Sequence, residues 1–481
     1  MSANTNNEDD FDETPTFVDM NSVVEVNVPD TNNNDDVGDE MMDDTDDAPP
    51  SNMPMEGASS SPAIVDQSKA TFNSHTDAIY AITSHYDASS HTLSMASGGG
   101  DDRAYLHHVT TSNSNEGTAQ LSQTTTPLSH PHTDSISCLA FNAPYIAKDV
   151  SGKPQKSLLA VGSYDGAIVL YDATNGELVQ VLEGPSDVEW TCFHPKGGTV
   201  LLAGSMADGT IWMYHTPSKS CLQVFVGHEG GVTSGAFTPD GKWVVSAGQD
   251  GTCRVWAPKT GMSRHVFRLM DSIAGGDGQP GPGLTCLAVG GGQDGQLAIC
   301  GGEDGKAYVV HISGKKLVAK LPHFEEQKNT MNTAETLADQ NEEPEARSIE
   351  AVGFCPATIH GTAHWCATGG VDGILKIWNM NVATGGGTAQ LRQRCVREDQ
   401  PQGLAGITQL QWHASLPLVI CSYTDGVVGI WDARVGKMIG SLTGHEDMVN
   451  DMSVSFVEGS TVALVVTGSD DKMVKMFEFN P

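Results

Sequence analysis

An all-β fold, a β-propeller of eight blades, is the class this sequence predicts, and two observations carry it. Asp101, Asp165, Asp208, Asp250, Asp304, Asp372, Asp425 and Asp471 each stand six residues before the end of a short apolar segment, and those segments end at His107, Tyr171, Tyr214, Trp256, Val310, Trp378, Trp431 and Phe477. Each segment reads as a strand, with the alternation of Ile374-Leu375-Lys376-Ile377-Trp378 the clearest case. A repeated unit of roughly 40 residues cannot bury its own apolar faces and has to pack on copies of itself. Eight copies therefore imply eight blades.

The residue types follow from the turn each blade needs. An Asp-Gly pair between two period-2 segments closes a tight hairpin, because Gly accepts positive backbone angles and Asp bonds its own backbone. Alternation after the turn gives a strand two faces, so a blade can pack on both neighbours. In the clearest copy the text is Gly227-His228, then Ala236-Phe237-Thr238-Pro239-Asp240-Gly241-Lys242, then Ser246-Ala247-Gly248-Gln249-Asp250-Gly251-Thr252-Cys253-Arg254-Val255-Trp256. This resembles the WD40 repeat. The resemblance implies that the turn Asp reaches the His of the Gly-His step, a Ser or Thr of the preceding strand and the closing Trp. Those residues are then structural: the eight aspartates, His75, His132, His228 and His445 at Gly-His-like positions, and Trp256, Trp378 and Trp431 at the closing one. The first copy ends in His107 where an aromatic is expected, and the fifth lacks both signature ends.

Closure of the ring asks for one more strand. The chain reaches Pro481 four residues past Phe477, too few for a fourth strand in the last blade, and Ser68-Lys69-Ala70-Thr71-Phe72-Asn73 is the candidate to complete it. Closure removes the exposed edges that template aggregation. Residues 67–481 are thus expected to form one propeller, its ring closed by a strand near 68–73. Residues 1–66 hold 18 acidic residues, no Lys or Arg and few large apolar side chains, and are expected to be a disordered acidic tail.

The formal charge is −34, of which −18 belongs to residues 1–66 and −16 to the rest. Both parts repel phosphate, which argues against direct nucleic-acid binding and for a basic protein or peptide as partner. Ten scattered cysteines form no Cys-x-x-Cys pair, so neither a zinc site nor a disulfide framework is expected, and a reducing compartment is the natural home. The N-terminus is too acidic for a signal peptide and no apolar run is long enough to span a bilayer. No metal, cofactor or membrane insertion is expected, the ring is expected to be monomeric, and the location is cytoplasmic or nuclear. Residues 110–129, 146–157 and 323–345 read as loops, the last of them acidic, and the runs Gly98-Gly99-Gly100 and Gly290-Gly291-Gly292 read as turns and not as nucleotide sites.

The stretch Asp187-Val188-Glu189-Trp190-Thr191-Cys192-Phe193-His194-Pro195 and the text from Val200 to Tyr214 are similar to the angio-associated migratory cell protein family, which includes a fungal counterpart. Gly98 to Tyr105, Ser348 to Cys355 and Trp431-Asp432-Ala433-Arg434-Val435-Gly436-Lys437 fit the same family in order, so the resemblance covers about residues 67–477. It implies a non-catalytic interaction platform. In the fungal branch it implies a dedicated chaperone that captures the basic N-terminal segment of a newly made large-subunit ribosomal protein during late ribosome assembly. Animal relatives point instead to a signalling scaffold linked to cell migration. Trp431-Asp432-Ala433-Arg434 also matches the step by which substrate receptors of cullin ubiquitin ligases dock their adaptor, although Trp378-Asn379-Met380-Asn381 offers no second copy. No pairing of nucleophile and base marks an enzyme.

Aligning the first strand of each repeat puts Tyr80, Ser137, Glu189, Thr233, Thr285, Glu350, Thr408 and Asn450 at one mouth of the channel. The residue before each turn Asp faces the same rim and adds Tyr164, Gln249, Glu303, Thr424 and Asp470. With Asp187, these nominate Tyr80, Tyr164, Asp187, Glu189, Glu303, Glu350 and Asp470 as partner-binding residues. Carboxylates and tyrosine faces suit Lys and Arg through charge-assisted bonds and cation–π contact.

Overall fold

Eight four-stranded antiparallel sheets follow one another in the computed structural model, which describes residues 64–113, 119–142, 157–196, 198–269, 283–292, 294–324, 347–359, 361–381, 388–399 and 405–481. The innermost strands are Ile79–Asp87, Ile136–Phe141, Trp190–Phe193, Val232–Phe237, Leu284–Gly291, Ile349–Phe354, Ile407–Trp412 and Val449–Phe456, for blades 1 to 8 in order. Each neighbours the next, and the eighth neighbours the first, so the ring closes around a channel. The eighth sheet is completed by Ala70–Phe72, which pairs antiparallel with Val474–Phe479. Among the described residues no helix is long and apolar enough to cross a membrane.

The apolar cores lie between blades. Among the described residues there are eight hydrophobic clusters, each shared by two adjacent blades. Alternation explains this: in the second strand of blade 2, Leu159 and Val161 join the cluster with blade 1, while Leu158 and Ala160 join the one with blade 3. Second and third strands are therefore apolar on both faces, and Leu158–Ser163 is buried throughout.

The turn aspartates hold the blades by several variants of one network. In blade 4, Trp256 Nε1 donates to Ser246 Oγ at 2.9 Å, the hydroxyl lies 2.8 Å from His228 Nε2, and His228 Nδ1 lies 3.0 Å from Asp250. Blade 8 repeats the pattern with His445, Thr467 and Asp471. In blade 1, His107 stands where the Trp would be and lies 3.0 Å from Ser97 Oγ, which lies 2.8 Å from His75 Nε2. Burial, with His75 and His108 nearby, pushes His107 down to about 3, so a neutral ring serves there.

Four features depart from the sequence expectations. His323, expected to open an acidic loop, is buried and bonds both Thr368 Oγ1 (2.7 Å) and Asp372 (3.2 Å), making a fifth blade histidine. In blade 7 the corresponding partner is Arg397, which donates to both oxygens of Asp425 at 2.8 and 2.9 Å and stacks 4.8 Å from the Tyr423 ring, with Tyr423 Oη accepting from Trp431 Nε1 at 3.0 Å. Most of residues 110–129 is strand: Ala104–Asn113 and Ala119–Pro127 form the outer hairpin of blade 1, because Thr-rich text suits a pleated edge. Gly98 and Gly99 end a strand and do not form a turn, and a Cβ on Gly98 would overlap Ile136 of the next blade. Residues 1–63 of the expected tail, 146–156, and the acidic stretch 325–345 lie outside the described residues.

Candidate functional site

The upper mouth of the channel is the end at which the innermost strands begin, and a backbone device repeats around it. In seven blades the register of the first strand pair slips at one residue, after Ile79, Ile136, Val232, Leu284, Ile349, Ile407 and Val449. The unpaired residues are Tyr80, Ser137, Thr233, Thr285, Glu350, Thr408 and Asn450. A bulge re-aims a side chain that a regular strand would send into a sheet face. Glu189 holds the equivalent place in blade 3, where its N–H donates to Gly204 O at 2.8 Å one residue before the strand starts. The turn aspartates sit at the same end, since the start of each first strand pairs with the end of the second, as Ile79 does with Gly99.

Thr233 donates to Ala247 O at 3.1 Å within its own blade, and the other seven positions divide into two kinds. Ser137 donates to Val188 O, Thr285 to Ile349 O, Thr408 to Val449 O at 2.8 Å and Asn450 to Ile79 O at 3.0 Å. Each bond crosses to the next blade, so these four fasten the ring at its mouth. Tyr80 and Glu350 are exposed, and Glu189 is half-buried. Tyr80 approaches the Gly99-Gly100 step so closely that its ring carbon would lie 3.2 Å from a Cβ on Gly100.

Blades 2 and 3 bring three of the expected partner-binding residues together. Tyr164 and Glu189 stand close enough to act on each other's ionisation, and Asp187 adds its charge to both. Burial, opposed by the Tyr164 hydroxyl and reinforced by Asp187, raises the Glu189 carboxyl above its ordinary range. Burial and the Glu189 charge raise the Tyr164 phenol in the same way. Asp187 accepts from Ser205 Oγ and from Ala207 N at 3.0 Å, which fixes its carboxylate. The other expected residues lie apart from this cluster. Glu303 accepts from Gly283 N at 2.8 Å, and Asp470 accepts from Asn450 Nδ2 at 2.6 Å, so each also braces its own blade.

Charge is segregated by end. The described connections that lead from one blade into the next carry Asp77, Asp134, Asp187, Glu189, Glu229, Glu398, Asp399, Glu446 and Asp447, against Arg347 and the buried Arg397. The loops at the lower end carry both signs, including Lys196, Lys219, Lys242 and Lys315 beside Glu177, Asp240 and Asp294. A cationic segment is therefore drawn to the upper mouth. Among the described residues no group of three or more His, Cys, Asp or Glu could hold a metal ion.

One channel residue escaped the sequence reading. Asp451 accepts from Ile82 N at 2.7 Å, Gln409 Nε2 at 2.7 Å and Met452 N at 2.8 Å, which ties blades 7, 8 and 1 together. Its signal was an acid in the middle of a strand-forming segment, Val449 to Phe456, where Met452 and Val454 alternate with polar residues. Burial pushes its carboxyl up to about 6 despite the three donors. A folded value above the unfolded one near 3.8 means that the protonated form favours folding, a contribution present below about pH 4 and lost as pH rises to about 6. Relative to Asp451→Asn, which cannot titrate, the natural chain should therefore gain up to about 3 kcal/mol as pH falls from 7 to 4. Urea midpoints of the two proteins across that range check the convergence.

Comparison with known proteins places this geometry. The family model described as WD domain, G-beta repeat matches residues 219–257 and 436–478. Angio-associated migratory cell protein from Canis lupus familiaris is 31% identical over 429 residues, covering 88% of this chain and 82% of that protein. Among solved structures, Saccharomyces cerevisiae Sqt1 superposes with a TM-score of 0.64 at 18% identity, covering 86% of this chain and all of that one. Chaetomium thermophilum Sqt1 bound to the N-terminus of the ribosomal protein L10 superposes with a TM-score of 0.62 at 20% identity, over 86% of this chain and all of the other.

Proposed function

This chain belongs to the angio-associated migratory cell protein family of WD40 propellers, and from that premise we propose that it is a non-catalytic chaperone for a basic ribosomal-protein segment. The cargo in this reading is the cationic N-terminal segment of a nascent large-subunit ribosomal protein, held in the cytoplasm until late ribosome assembly by a monomeric ring that needs no cofactor. The observation that carries it is the acidic upper mouth, where Tyr164, Asp187 and Glu189 form one cluster and Glu350 and Tyr80 stand apart from it on other blades around the same channel. Carboxylates there neutralise a segment that would otherwise bind RNA nonspecifically, and the field of the face speeds encounter. Chaetomium thermophilum Sqt1 holding the N-terminus of ribosomal protein L10 supports the kind of cargo.

Affinity purification from the native cell, read by mass spectrometry at moderate salt, tests this reading. Recovery of a large-subunit ribosomal protein is the expected result, weakening as ionic strength rises. Recovery of a cullin and its adaptor would instead identify a ligase receptor docking through Asp432 and Arg434, which pair at 2.6 Å with Arg434 exposed. Migration-signalling partners without a ribosomal protein would favour the scaffold.

A further inference from the structure

Blade 1 is built longer than the rest of the ring. Its strands run 9, 8, 10 and 9 residues, whereas the others run 3 to 8. The register at the upper end matches that of the other blades, so the added length, at roughly 3.3 Å per residue, overhangs the lower face. Between this overhang and blades 2 and 8 lies a cleft of about 810 Å³.

We propose that this cleft binds an organic ammonium group. Its lining joins Tyr86 of blade 1, Phe141 of blade 2 and Phe456 of blade 8, and among the described residues that line it Asp87 and Glu458 are the carboxylates and there is neither Lys nor Arg. Aromatic faces attract ammonium ions, more strongly when quaternary or alkylated, and carboxylates add charge-assisted contact. Asp87 is preorganised, because Ser89 N, Ser89 Oγ and Ser90 Oγ donate to it at 2.9, 2.8 and 2.7 Å.

A buried polar atom is also left over. His108 lines the cleft, its Nδ1 lies 3.0 Å from Ser94 Oγ, and its Nε2 is buried without a partner. Burial depresses His108 below its ordinary value, so the ring stays neutral, and in the tautomer whose Nδ1–H donates to Ser94 Oγ the free Nε2 can accept an N–H. Buried polar atoms in folded proteins are almost always satisfied, and a donor from a ligand would complete this one. Free polyamines and Lys side chains, alkylated or not, share the required chemistry.

Isothermal titration of the full chain with spermidine, with tetramethylammonium and with N-acetyl-lysine methylamide tests the site. One saturable site per chain is expected for at least one probe, weakened about 10-fold or more by Glu458→Gln at the exposed edge of the cleft, with unchanged melting. Phe141→Leu, which keeps an apolar side chain but removes the π face, should weaken tetramethylammonium most. The double variant Glu189→Lys/Glu350→Lys at the opposite end should leave this binding intact, which separates the cleft from the upper mouth. Preference for tetramethylammonium supports the proposal with an alkylated ammonium as ligand, and preference for spermidine or the lysine derivative supports it with a primary one. Absence of saturable binding by all three probes, indifference to both cleft variants, or loss of binding in the upper-face double variant would overturn it.

Discussion

Deleting residues 1–73 is expected to unfold the ring, whereas deleting residues 1–63 leaves its melting transition in place. The segment between these endpoints forms the clasp of blade 8. Gln67 N donates to Thr443 O at 2.9 Å, Thr443 Oγ1 donates to Val65 O at 2.7 Å, and Lys475 Nζ bonds Asp66 at 2.5 Å. Burial alone would raise the Asp66 carboxyl, but the Lys475 ammonium and Ser68 bring it down to about 2. Lys475 is itself buried, and Phe72 is buried with its ring 4.5 Å from that of His107. Losing Phe72 costs about 3–5 kcal/mol in cavity and transfer terms. Stranding a buried Lys475 costs about as much again. Together these approach the whole stability of an ordinary domain, about 5–15 kcal/mol. Thermal melting of the two truncations decides it, and a native melt for the longer deletion would refute the clasp.

Reversing Glu189 and Glu350 to lysine is the change expected to alter binding most. Each replaces an attraction for a cationic segment by a repulsion at the mouth, and disrupting close charge pairs in an interface costs about 2–5 kcal/mol. Affinity for a basic peptide should therefore fall at least about 100-fold. Glu350 is exposed and its reversal should leave melting unchanged, while Glu189 is half-buried beside Tyr164. Glu189→Gln, which keeps a partner for Tyr164, separates lost charge from lost structure. Fluorescence anisotropy at two salt concentrations, alongside melting curves, gives both readouts.

The ring was legible because its determinants are local. Each spacing from turn Asp to closing residue spans six residues, and the alternation between them needs no tertiary information. His323 was missed for the opposite reason: 49 residues separate it from Asp372, against 22 between His228 and Asp250. Arg397 was hidden because it replaces the histidine by a different chemistry, a two-oxygen clamp on Asp425. Blade 1 misread as loop because Thr, Ser and Gln serve both turns and exposed edge strands. At the mouth, alignment of the first strands located the bulge residues, but not which of them bond outward. Ser137, Thr285, Thr408 and Asn450 find acceptors on the neighbouring blade, and only three-dimensional closure places those carbonyls within reach. Asp451 belongs to the same class, since its three donors come from three blades.

Hydrogen–deuterium exchange of the full chain with a synthetic basic N-terminal segment of a large-subunit ribosomal protein tests most directly whether the acidic mouth is the capture surface. Protection of the stretches around Tyr80, Tyr164, Asp187 to Glu189 and Glu350, fading as salt is raised, is the predicted result. Protection confined to the lower loops, or none at concentrations that saturate binding, would contradict it.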